Sequence, residues 1–139
     1  MSSFTEPLLA KITQRDKRPI EVAAPFSYPV GSDPARDIVV REGFLTDGAT
    51  VPRPFTVFIR PLGRHGKAAI LHDWLYHWPE WPKVWKEYVP EAEDARHAAD
   101  MIFLEAMAVL HVPVHRRLMI YGAVRSFGWI AWRRIHAGK

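Results

Sequence analysis

Four side chains have the types and spacing to do chemistry together. His72 and Asp73 sit side by side in the apolar run Ala69-Ile70-Leu71-His72-Asp73-Trp74-Leu75-Tyr76, with Asp47 upstream and Asp100 downstream. A charged pair in an apolar segment needs a hydrogen-bond partner, an ion-pair partner or a metal, because uncompensated charge is costly away from water. A carboxylate that accepts from one nitrogen of His72 fixes the ring's tautomer and leaves the other nitrogen to take a proton from water. Asp100 is the candidate for that acceptor. Asp73, with Asp47 and carbonyls of the loop around Gly48, offers the all-oxygen surroundings that calcium prefers, at about 2.3–2.6 Å. A cation there would stabilise an oxyanion while His72 activates water. Zinc suits the set less well, since it contains one histidine and the chain has no cysteine. Each residue also has a plainer reading. Asp47 before Gly48 can cap its own backbone in an Asx-turn, and Arg96 and Asp100 are spaced for an ordinary helical ion pair.

These residues need elements to hold them. Gly63 to Trp78 reads as a helix with Ala68, Leu71, Leu75 and Trp78 along its buried stripe. On that helix His72 and Asp73 project about 100° apart, and Tyr76 follows His72 by one turn. A second helix is expected from Pro90 or Glu91 to Leu110, with Ala99, Ile102, Phe103, Ala106, Val109 and Leu110 on its apolar face. Asp100 borders that face, and Arg96 precedes it by one turn. A third helix runs from about Val114 to Ile135 and carries Leu118, Tyr121, Val124, Arg125, Gly128 and Trp132 along one face. Between the first two lies a Trp- and Pro-rich segment, read as an exposed loop whose Trp78, Trp81 and Trp85 form an interfacial rim. Before the helices, Ile20-Glu21-Val22 and Phe26-Ser27-Tyr28 read as edge strands beside Pro25 and Pro29. The run from Arg36 to Arg41 is the clearest strand. The expected architecture is α+β in one domain: a β-rich lead-in over 1–42 holding a small antiparallel sheet, a loop over 43–62, and a three-helix core over 63–139.

Composition sets the outer bounds. The chain has 139 residues, a formal charge of +4, six Trp and no Cys, so a disulfide framework and thiolate metal sites are excluded. No signal-peptide pattern and no apolar run of about eighteen residues is present. Arg116, Arg117, Arg125, Arg133 and Arg134 raise the question of nucleic acid, but at helical spacing they do not form one stripe, and Arg125 falls on the buried side. Nucleic acid is therefore not an expected partner.

At these residues the sequence resembles two families. The order T-D-G-A-T-V-P, L-H-D-W-L-Y, R-H-A-A-D-M-I-F-L-E-A-M and Y-G-A-V-R-S-F-G, spread from Phe44 to Gly128, is similar to a family of small phage and prophage proteins classed as a domain of unknown function, DUF1353. That resemblance implies a phage protein, placed in the particle or in the cytoplasm of the infected host, with other phage structural proteins or a lipid surface as partners. A second likeness is to bacterial and fungal secreted phospholipases A-two. Their pattern is a D-G loop, then H-D-x-x-Y on one helix and D-x-x-F on an antiparallel one, here Asp47-Gly48, His72 to Tyr76, and Asp100 to Phe103. It implies a phospholipase-like helical core in which His72 is the general base, Asp100 orients it, and Asp73 with Asp47 holds calcium. The disulfides that tie those helices together are absent here. Two functions from different classes follow: a metal-assisted lipid ester hydrolase acting on the host envelope, or a non-catalytic virion or tail-assembly component whose His/Asp network is structural.

Overall fold

The computed structural model describes residues 4–6, 9–12, 20–46 and 66–137. Asp47, Gly48 and the apolar stretch from Arg53 to Pro61 lie outside the described residues. The elements follow in order as β1 (Ala10–Ile12), β2 (Ile20–Val22), β3 (Phe26–Pro29), β4 (Asp37–Val40) and β5 (Leu45–Thr46), then α1 (Gly66–His77), α2 (Trp81–Tyr88), α3 (Ala95–Val109) and α4 (Val114–His136). The α+β class is as expected, with two corrections among the described residues: the strands form two small antiparallel sheets instead of one, and the α-helices number four instead of three.

In the first sheet β2 lies between β1 and β5, with Ile20 opposite both Ile12 and Thr46. It is thus central where the sequence suggested an edge. The strand ends at Val22, so Pro25 falls outside the ladder and removes none of its hydrogen bonds. The second sheet is the β3–β4 pair, in register Phe26–Val40 and Tyr28–Ile38. The period-two alternation puts those four side chains on one buried face and leaves Val39 exposed on the other.

The extra helix, α2, falls in the segment read as an exposed loop. Pro82 stands in its first turn, where the missing N–H has no intrahelical partner to lose. Trp81 is fully buried and donates its indole N–H to the Ala95 carbonyl at 2.8 Å. Trp78 and Trp85 are half-buried, and the Trp74, Trp78 and Trp81 rings stack in succession. These residues pack α2 onto the core and do not form an open rim. Next, α3 begins at Ala95, not at Pro90, because the Asp94 side chain accepts from the His97 N–H at 2.8 Å and caps the helix there. It ends in a Schellman-type turn, with His111 at φ 64°, His111 N–H bonded to Ala108 O and Val112 N–H bonded to Met107 O.

Helix α1 is the centre of the molecule. Ten of its twelve residues are buried, so the stripe read from the sequence is in fact an almost complete girdle. Helix α3 packs against α1, α2 and α4. The β3–β4 sheet is tied to this helical layer through Glu105 on α3, which accepts from the Tyr28 hydroxyl at 2.5 Å and from the Gly31 N–H at 2.7 Å through one carboxylate oxygen. Arg36 adds a bond to the Tyr88 carbonyl at the end of α2, at 2.8 Å. The Lys67 ammonium, at the start of α1, lies 5.1 Å above the Phe26 ring.

Candidate active site

Asp100 is the hub of the site. It sits on the second turn of α3, facing α1, where the Ala98, Ala99, Ile102 and Phe103 side chains around it are all buried. Its Oδ1 lies 2.6 Å from His72 Nε2 and accepts from the Tyr76 hydroxyl at 2.8 Å. Its Oδ2 accepts from Arg125 Nη1 of α4 at 2.7 Å and from Arg96 Nη1 at 3.4 Å. One carboxylate thus gathers donors from α1, its own helix and α4. The spacing of His72 and Tyr76, one helical turn apart on α1, lets both meet the same oxygen.

The electrostatics follow from that crowd of donors. Burial alone pushes the Asp100 carboxyl up, but the hydrogen bonds it accepts from His72, Tyr76 and Arg125 outweigh it and hold the group below its ordinary value. Asp100 is therefore a carboxylate, which only accepts, so the hydrogen it shares with His72 belongs to Nε2. In the neutral ring the lone pair is then on Nδ1, the nitrogen suited to accept a proton. Tyr76 is driven strongly the other way, first by burial and then by the adjacent Asp100 charge, and stays a neutral donor. The His72 ring is held by stacking on Phe103, with centroids 4.4 Å apart and planes 25° apart, and by Tyr76 at 4.4 Å on a tilted edge.

Of the residues singled out in the sequence, His72, Asp100, Tyr76 and Arg96 come together. Arg96 does more than pair with Asp100: its guanidinium also donates to the Val124 and Arg125 carbonyls of α4, at 3.0 and 3.3 Å. Asp73 is buried on the next position of α1, and its Oδ1 lies 3.3 Å from Nδ1 of His77, one turn on. Asp47 and Gly48 are outside the described residues. Among the described residues no group of three or more His, Asp or Glu side chains is placed to hold a metal. Asp73 is one of the two carboxylates expected at a hard cation, and the chemistry below is derived from His72, Tyr76 and Asp100.

Two members were missed by sequence reasoning. Arg125 was placed on the buried side of its helix without a partner; it is half-buried, and a guanidinium turned inward signals a carboxylate facing it. Gly128 has a Cβ position 2.7 Å from the Tyr76 hydroxyl and 3.1 Å from Arg96 Nη1, so only glycine lets α4 approach the site this closely.

No curated protein and no solved structure matches the chain, and the likeness to phospholipases rests on the residues of this site alone. Residues 20–124, which contain every member of the His72–Asp100 cluster except Arg125 and Gly128, match the family described as protein of unknown function, DUF1353, and the chain belongs to that family.

Proposed function

We propose that the protein is a phage-encoded hydrolase of ester bonds, with lipid of the host envelope as its substrate class, in which His72 is the general base and Asp100 orients it. The observation that carries this reading is the shared acceptor: His72 Nε2 and the Tyr76 hydroxyl on one Asp100 oxygen, at 2.6 and 2.8 Å. That arrangement selects the tautomer with its lone pair on Nδ1. His72 Nδ1 would take the proton of a water as its oxygen attacks the ester carbonyl, and Asp100 would stabilise the imidazolium that forms. The proton would then pass to the leaving alkoxide. Calcium is a separable part of the reading, with Asp73 and Asp47 as the residues that would hold it.

The test is hydrolysis of a panel of phospholipids and short-chain aryl esters by purified protein, with calcium and with chelator. Turnover that falls by roughly 10²–10⁴-fold in His72→Gln, at unchanged melting temperature, supports the reading. Absence of turnover across the panel overturns it. Calcium assistance is dropped if calcium neither raises the melting temperature nor changes the rate.

A second reading has its own observation. His72, Asp73 and Asp100 are each no more than 1% exposed, and a network so enclosed can serve to fix three helices in register. In that case the protein is a non-catalytic component of the phage particle or of tail assembly. Its presence in purified particles at fixed stoichiometry, with an inert panel, supports this second reading.

A further inference from the structure

We infer that the exposed flank of α4 is a docking surface for an anionic lipid bilayer, lying flat on it without crossing it. The inference does not rest on ester hydrolysis, because it concerns the side of α4 that turns away from the site. No described helix is long and apolar enough to span a membrane, so contact along the helix is the geometry at issue.

The first observation is a stripe. Arg116, Met119, Ala123, Phe127, Ile130 and Arg134 recur at steps of three and four residues and therefore share one line along α4, about 27 Å long. The middle of the stripe is apolar, with Ala123 buried and the others exposed, and its two ends are arginines. Phe127 is 56% exposed, and Met119 and Ile130 are exposed with it. Leu118 and Trp129, also exposed, lie about 130° around the helix from this line, with Ser126 and Arg133 between.

The second observation is charge. From Ala106 to Lys139 the chain has six Lys or Arg and no Asp or Glu, leaving 13 basic residues against 15 acidic ones before it. The positive charge of the protein is thus concentrated on the segment that carries the stripe. Arg133 lies 5.6 Å from the Trp129 ring, so the aromatic body and the cation are presented as one unit. Cations that reach headgroup phosphates while apolar neighbours enter the acyl boundary are the composition of an interfacial helix.

Charge also decides against the other occupants. In an antiparallel pairing of two copies along this stripe, Arg116 approaches Arg134; in a parallel one, like arginines face each other. No carboxylate in the segment offsets either arrangement. A nucleic-acid surface would use the arginines but gain nothing from exposed Phe127, Met119 and Ile130.

The experiment is flotation of the full chain with vesicles of phosphatidylglycerol and, separately, of phosphatidylcholine. Binding is expected to phosphatidylglycerol and to be at least about tenfold weaker to phosphatidylcholine. Neutralising Arg133 and Arg134 to Gln weakens it by roughly fivefold per residue. Phe127→Ser with Ile130→Ser abolishes it, while circular dichroism and melting stay as in the wild type. Equal binding to both lipids, no binding, or binding indifferent to both pairs of substitutions overturns the inference. So does a duplex DNA shift tighter than vesicle binding, or a dimer in ultracentrifugation that the two serines dissolve.

Discussion

A carboxylate with four donors is stable only while every donor is answered. Replacing Asp100 by Asn removes the charge that Arg125 and Arg96 face and changes one acceptor for an amide that also donates. Breaking a buried ion pair from one side costs about 3–5 kcal/mol, and urea unfolding at neutral pH is expected to show a loss of that size. The pH dependence has a definite sign. Because the folded protein holds Asp100 below its ordinary value, the contribution is fully present above about pH 4 and is lost as pH falls through the native value. The wild type and Asp100→Asn should therefore differ by a constant amount above about pH 4 and converge as the pH falls below it, as measured by urea midpoints across that range. At this scale much of the site was legible. His72 and Asp100 stood out because charge in an apolar run demands a partner, and Tyr76 because one helical turn puts it beside His72. The link from Asp73 to His77, at one turn's spacing, was also within reach of helical geometry. What could not be read was which carboxylate each inward-facing arginine would meet, since Arg125 is 25 residues from Asp100 and only the packing of α4 on α3 joins them.

At the scale of elements, two glycines of α4 make opposite predictions from the same substitution. Alanine is the better helix former by about 1 kcal/mol, and at Gly122 an added Cβ has nothing within 4 Å. Gly122→Ala should raise stability by up to about that amount. At Gly128 the added Cβ meets the Tyr76 hydroxyl at 2.7 Å and Arg96 Nη1 at 3.1 Å, and it would push α4 away from the site. Forced overpacking of this kind costs about 1–3 kcal/mol, which outweighs the propensity gain. A melting series of the two variants checks both signs at once. The elements themselves were only partly legible. Helices α1, α3 and α4 announced themselves by apolar spacing, whereas α2 did not, because Pro79 and Pro82 read as breakers until one notices that the first turn of a helix tolerates proline. The end of α3 carries a similar trap: its left-handed position is occupied by His111, where glycine is the usual signal.

The whole molecule is a buried helix with two kinds of cover. On the side of the site, α3 and α4 close over α1 through dense apolar packing and the Asp100 network. On the side of the strands, the polar ties among the described residues from the β3–β4 sheet and its following turn to the helices run from Tyr28 and Gly31 to Glu105 and from Arg36 to the Tyr88 carbonyl. Such an arrangement predicts unequal local stability, with α1 and α3 opening near the global limit and the sheet opening sooner. Glu105→Ala tests it, because it deletes the acceptor of two bonds and leaves the buried Tyr28 hydroxyl without one. The cost of an unsatisfied buried donor is about 1–3 kcal/mol, so amide exchange in β3 and β4 should accelerate by roughly 5- to 100-fold. If the sheet is a separately opening cover, protection in the middle of α1 changes much less. Equal acceleration in α1 would instead mean that sheet and helices open as one unit, and Glu105→Gln, which keeps an acceptor in place, should recover most of the protection in either case.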